Sequence, residues 1–252
     1  MSPSFPPLPA SEHASATSST APGMPAGETR SAAPPGRGRR VVDAATRMFH
    51  WLFALCFVGA YATGDSEHWR LVHVTLGYTM AGLLVFRILY GLVGPRHARL
   101  SGLWRRLAGA RSWLRDLYQR RDRSGRPMLP TLADADRALR LAAPLSVAVM
   151  LLAVPPLALT GLVAYQEWGG EWLAELHEVI GEGFFAVVIA HLAALLLLSL
   201  RELRNRATPM LTGRTAGPGP DLVRHDLKWL AALQLLAVFL YWGWEFVRTW
   251  TG

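Results

Sequence analysis

Apolar side chains do not alternate along this chain. They run together in five long segments, parted by polar and Arg-rich stretches. The first runs roughly from Val41 to Thr63, and Asp43 and Arg47 interrupt its start. The second, Leu71 to Gly94, contains one charge, Arg87. The third, Leu141 to Tyr165, has none, and Pro144 with the Pro155–Pro156 pair predicts a bend in it. The fourth runs from about Leu176 to Leu200. The fifth, Leu227 to Val247, follows a Gly/Pro-rich stretch, Thr212 to Pro220. A helix rising 1.5 Å per residue needs ~20 residues to cross the hydrocarbon, which each segment supplies. The other spanning solution, a closed β-barrel, requires alternation that these runs lack. The predicted fold is an all-α integral membrane protein: a four-helix transmembrane bundle plus a C-terminal fifth transmembrane helix. The predicted divisions are a cytoplasmic tail (1–40), a membrane domain (41–214), a linker (215–225) and the extra helix (226–252).

Composition agrees. Of 252 residues, 51% are hydrophobic and only 17% charged, against about 25% charged in soluble domains. That deficit excludes an ordinary soluble enzyme. The single cysteine, Cys56, excludes a disulfide framework and any CxxC metal or haem-attachment site. Residues 1–40 are rich in Pro, Ser, Ala and Gly and cannot bury enough apolar surface to offset ordering entropy, so disorder is expected. They hold no apolar core of signal-peptide type, and no cleavable signal is expected.

The net charge of +8 has its meaning in its placement. Twelve arginines lie between the second and third segments, whereas the stretch from Ala164 to Leu176 carries Glu167, Glu171 and Glu175 and no basic residue. The positive-inside rule then puts the N-terminus and the Arg-rich loop in the cytoplasm. The short loops near Asp65 and Glu171, and the C-terminus, fall on the periplasmic side of a bacterial inner membrane. Arginines beside membrane spans argue against nucleic acid as a partner. The stretch from Trp104 to Arg121 is expected to lie as an amphipathic helix on anionic membrane lipid.

Ionisable groups inside a membrane are costly and usually functional. His73 and His177 fall near the periplasmic ends of the second and fourth segments, and His50 and His191 fall nearer the cytoplasm. His191 follows His177 by fourteen residues, about 21 Å along the axis and some 40° short of four full turns. The two therefore face nearly the same way. Two histidines at each of two depths suit two stacked haems, with His73 and His177 on the outer iron and His50 and His191 on the inner. With both axial positions filled, the natural task is electron transfer. Gly77 and Gly181 each follow a proposed ligand by four residues, on the same helix face, and leave room for a flat macrocycle. Arg87, fourteen residues after His73, is expected to face a haem propionate near the inner level. Each histidine alone also reads as a hydrogen-bonded packing residue, each glycine as a helix-approach residue, and Arg87 as a snorkelling cation. A zinc site is disfavoured because the pairs lie too far apart for one tetrahedral centre. His13, His68, His97 and His225 read as solvated or interfacial. Glu178 and Glu182 read as solvating a helix start, with a proton relay as the alternative. Trp51, Trp69, Trp168, Trp172, Tyr241, Trp242 and Trp244 read as interfacial belts.

Five stretches resemble the bacterial cytochrome b561 family, which includes the b-type cytochrome subunits of nickel–iron hydrogenases. They are Thr46-Arg47-Met48-Phe49-His50-Trp51, Trp69-Arg70-Leu71-Val72-His73-Val74-Thr75-Leu76-Gly77-Tyr78, Phe86-Arg87-Ile88-Leu89-Tyr90-Gly91-Leu92-Val93-Gly94-Pro95-Arg96, Leu176-His177-Glu178 with His191, and Leu211-Thr212-Gly213-Arg214. The resemblance spans roughly Val41 to Arg214. It implies a four-helix bundle with two b haems and a quinone or quinol as the membrane-soluble electron partner. On the other side it implies a c-type cytochrome, a hydrogenase subunit or a small oxidant. Self-association into a homo-oligomer is compatible with it. The fifth segment and the long tail lie outside the shared pattern. They motivate an alternative, a non-redox membrane anchor or assembly subunit; a proton-coupled transporter using His and Glu is a further one.

Overall fold

The computed structural model describes residues 38–121, 125 and 129–251. The tail expected to be disordered therefore lies, up to residue 37, outside the described residues. Its last residues are extended, and Arg39–Arg40 (β1) pairs antiparallel with Arg214–Thr215 (β2). Helices dominate: α1 Ala44–Thr63, α2 Arg70–Val93, α3 Ser101–Gln119, α4 Leu132–Tyr165, α5 Trp172–Glu202, α6 Thr208–Thr212 and α7 Lys228–Thr251. A 3₁₀ turn, Glu67–Trp69, leads into α2. Among the described residues, four stretches are long and apolar enough to cross a membrane: Glu67–Val93, Leu132–Tyr165, Trp172–Glu202 and Lys228–Thr249. With its twenty residues α1 has the length, but Arg47 and His50 dilute its apolar character.

α1 packs on α2, α4 packs on α5, and α2 meets α4. The layer that joins them is apolar: Cys56 and Phe57 from α1, Met80 and Leu84 from α2, Val154 from α4 and Phe184 from α5. The C-terminal helix α7 leans on α1 and α2. Val238 buries against Phe49, Leu52 and Leu83. Gln234 Nε2 donates to the Ala45 carbonyl at 3.1 Å. Trp242 Nε1 donates to Thr79 Oγ1 at 2.9 Å. Trp242 is thus not only a belt residue: its indole N–H is anchored to the buried Thr79.

α4 starts nine residues before the expected span. A capping box explains the early start: the Thr131 hydroxyl accepts from the Asp134 N–H while Asp134 accepts from the Thr131 N–H. Thr131-x-x-Asp134 carries that signal in the sequence. The added turns are held by charge, since Asp136 and Arg140 pair at 2.9 Å, Arg140 reaches Glu202 at the end of α5, and Glu202 also pairs with Arg206. α4 continues as one helix through Pro144, Pro155 and Pro156. In α3, Trp113 is buried and its Nε1 donates to Asp134 at 3.3 Å, while Trp104 and Tyr118 are exposed.

The start of α1 is set by a buried carboxylate. Asp43, at 0% exposure, is the N-cap: Oδ1 accepts from the Thr46 N–H at 2.7 Å. Its Oδ2 accepts from the Tyr90 hydroxyl at 2.9 Å and meets His97 Nε2 at 2.6 Å. The reading of His97 as a solvated loop residue is therefore corrected: its side chain is 12% exposed and ties the loop after α2 to the base of α1. Asp43, which looks in the sequence like an interruption of the span, is what starts the helix.

Replacing Asp43 removes a cap and strands two polar partners. Asp43→Ala should cost about 3 kcal/mol, the sum of a lost cap and unpaired buried groups. Tyr90→Phe should cost about 1 kcal/mol. Thermal unfolding in detergent, followed by circular dichroism, gives both values; an unchanged midpoint in Asp43→Ala would contradict the role assigned to this carboxylate.

A candidate haem-binding site between α1, α2, α4 and α5

His73 in the first turn of α2 and His177 near the start of α5 come together across the bundle. Their ring centres are 6.0 Å apart and the planes lie at 82°. Two metal–nitrogen bonds of about 2 Å, plus roughly 1 Å from each nitrogen to its ring centre, give a separation of about 6 Å. His73 Nδ1 lies 2.8 Å from the Ala60 carbonyl, and His177 Nδ1 lies 3.0 Å from the Leu157 carbonyl. A carbonyl only accepts, so each Nδ1 carries the proton and each Nε2 keeps its lone pair for a ligand.

Both rings border a chamber of about 390 Å³, within the range of about 300–1,000 Å³ of small-molecule sites. Gly77 and Gly181 line it too. A Cβ built on Gly77 would meet nothing within 4 Å, and one on Gly181 would meet only Leu157 Cδ1 at 3.9 Å. Both positions open into space, as expected for a surface against which a flat ring lies. Gly161 of α4, which the sequence reading passed over, also borders the chamber. A Cβ there would fall 2.8 Å from His177 Cε1, so only glycine lets this imidazole sit where it does. Its signal, a lone glycine in an apolar run, does not stand out in sequence. A metal held here takes two imidazoles from the chain and needs its remaining donors from its own ring, which a porphyrin supplies. The residues fit a haem.

At the inner level, His191 Nδ1 lies 2.8 Å from Ser146 Oγ. Ser146 gives its only proton to the Ala143 carbonyl at 2.8 Å, so it accepts from Nδ1, and Nε2 of His191 is again left free. His50 stands within electrostatic reach of His191. Its Nδ1 is buried without a partner. Between the two levels lies the aromatic layer. Phe184 is seven residues from both His177 and His191, about two turns from each. Its ring packs 4.9 Å from that of Phe57 and 6.4 Å from that of Phe53.

Arg87 is engaged within the chain. Its Nη1 donates to the Ala98 carbonyl at 3.1 Å, and it lies within electrostatic reach of Asp43. The cation expected to face a propionate is directed to the loop after α2, because Asp43, Tyr90 and Ala98 gather there. Glu182 accepts a hydrogen bond from the Tyr61 hydroxyl at 3.1 Å, so this residue does more than solvate a helix start.

The family model for prokaryotic cytochrome b561 matches residues 41–213. The chain belongs to the prokaryotic cytochrome b561 family. No curated protein and no solved structure matches it. Membership makes it a multi-pass membrane cytochrome of b type, and b-type haem binding and electron transfer go with the family. The matched segment also closes on itself: the Val41 and Val42 N–H groups donate to the Gly213 carbonyl at 2.8 and 3.2 Å. α7 lies outside this cytochrome b561 segment and packs onto its α1–α2 side.

The open space at Gly77 makes a clean test. Gly77→Ala places a methyl where the chain itself has no atom within 4 Å, so the protein should fold with near-normal stability. A macrocycle lying on that surface should be displaced. The expected result is selective loss or spectral perturbation of one haem in the reduced-minus-oxidised spectrum, with unchanged helicity. Full retention of the wild-type spectrum in both Gly77→Ala and Gly77→Leu would remove Gly77 from the site.

Proposed function

We propose that the protein is a di-haem b-type cytochrome that passes electrons between the quinone pool and a periplasmic redox partner. The observation that carries the reading is the opposed pair His73 and His177, each with Nδ1 tied to a carbonyl and Nε2 free. When bound, a haem supplies one-electron chemistry at its iron. The chain supplies the rest. His73 and His177 would hold the outer haem; His50 and His191 would hold the inner. The carbonyls of Ala60 and Leu157 and the hydroxyl of Ser146 fix the tautomers of His73, His177 and His191 and increase their basicity as ligands. Two histidines supplied to each haem would favour electron transfer over oxygen chemistry. Phe57, Phe184, Met80 and Val154 exclude water between the two levels and keep the local dielectric low.

The Arg-rich segments support an N-terminus in the cytoplasm of an inner-membrane protein, and an odd number of spans, counting α1, then puts the C-terminus in the periplasm. The partner reading is chemical: a c-type cytochrome, a hydrogenase subunit or a small oxidant at the outer level, and a quinone within the membrane. Exposed Trp104 and Tyr118 together with Arg105, Arg106, Arg111 and Arg115 support α3 as a surface helix on anionic lipid.

Protein purified from a haem-replete host should contain two haems per chain with a b-type reduced spectrum. His73→Ala should remove mainly the outer haem and His191→Ala mainly the inner, each leaving about one per chain by pyridine haemochrome assay. A quinol analogue should reduce the wild-type protein. Haem-free wild-type protein, or two haems retained in both variants, would overturn the reading.

A further inference from the structure

We propose that Arg70 binds a propionate of the outer haem and so orients that haem with its carboxylate edge at the mouth of the chamber. The inference rests on the reading of His73 and His177 as its axial ligands. Arg70 opens α2, three residues before His73, so the two side chains leave the same helix face about one turn apart. Arg70 lines the same chamber as both histidines. Its side chain is nonetheless 43% exposed, which sets it where the chamber opens. It is the one Lys or Arg among the described lining residues.

The chamber has a polarity gradient. Phe57, Met80 and Val154 belong to the apolar layer at its depth, whereas Ser66, Glu67 and Arg70 stand at the other end. A b haem has the matching shape, an apolar ring with two carboxylates on one edge. Burying that edge against the apolar layer would leave charges unpaired at high cost. Turning it outward brings it to a guanidinium, whose planar fork suits a carboxylate.

The contacts Arg70 makes within the chain leave it available. Nη1 donates to Glu67 Oε1 at 3.1 Å, and the Glu67 side chain is 86% exposed. An exposed pair of this kind contributes little to stability. The guanidinium also lies 5.5 Å from the centre of the Tyr165 ring, which steadies its position at the opening. One of five donors is used by Glu67, which leaves others for a second carboxylate.

The test is potentiometric titration of both haems in wild type, Arg70→Gln, Arg70→Lys and Glu67→Gln, with His73→Ala assigning the outer haem. Removing a cation next to a propionate disfavours the added electron. Arg70→Gln should therefore raise the oxidised-to-reduced ratio of the outer haem about tenfold at fixed potential, a downward shift of about 59 mV for one electron. The inner haem should stay put. Arg70→Lys should recover most of the shift, and Glu67→Gln should not lower the potential. A wild-type outer potential in Arg70→Gln would make Arg70 a surface partner of Glu67 only. If Arg70→Gln loses the outer haem, retention in Arg70→Lys supports the charge pairing, and loss in both overturns it. Two haems surviving in His73→Ala would instead overturn the underlying ligand reading.

Discussion

A polar group inside a membrane has no water to turn to, and that constraint organises this protein. Each interior histidine has to place two ring nitrogens. Three of the four settle one nitrogen on the chain itself: His73 on the Ala60 carbonyl, His177 on the Leu157 carbonyl and His191 on the Ser146 hydroxyl. Fixing one nitrogen fixes the proton, and fixing the proton leaves the other nitrogen as a lone pair aimed away from its anchor. His73 and His177 bring two such rings to within 6.0 Å, centre to centre, which packing alone does not require. The hydrogen bonds thus do more than stabilise: each leaves a neutral imidazole with one nitrogen whose lone pair is free and directed.

The same constraint explains the helix lengths and the layer between the sites. α5 carries both His177 and His191, about 21 Å apart along its axis, so one rigid element sets the spacing of the two levels. Phe184 fills the midpoint of that element with a fully buried ring, packed at a tilt against Phe53 and Phe57 of α1. α4 and α5 outrun the hydrocarbon at the end where Arg140, Asp136, Glu202 and Arg206 form a network. Charge at that end and apolar packing in the middle hold the α4–α5 pair in register, and the register is what lets Ser146 meet His191.

The helical architecture and the spacing of His177 and His191 were legible from the chain, because apolar runs give helix length and fourteen residues convert to nearly whole turns. The pairing of His73 with His177 followed from shared depth alone. What depended on side chains reaching between elements was not legible. Nothing in the spacing of Arg87 shows that its guanidinium donates to the Ala98 carbonyl and senses the Asp43 carboxylate. His97 follows a span and looks like a loop residue, but it docks on a carboxylate 54 positions earlier. Gly161 matters only because His177 leans on it from another helix. The early start of α4 was readable in principle, since Thr131 and Asp134 form a capping box, but an apolar-run criterion passes over it.

α1 shows why apolar runs alone misjudge a cytochrome helix. Its average hydropathy is lowered by the residues that give it a role: Asp43 starts it, Arg47 reaches the Leu211 carbonyl and Asp226, and His50 faces the inner level. The lost apolar character is offset by neighbours. Phe49 and Leu52 bury against Leu83 and Val238, and the Ala45 carbonyl takes a second hydrogen bond from Gln234. Two of those neighbours belong to α7, which lies outside the family segment. α7 therefore covers one side of α1 and supplies a partner for the Ala45 carbonyl near the polar start of that helix.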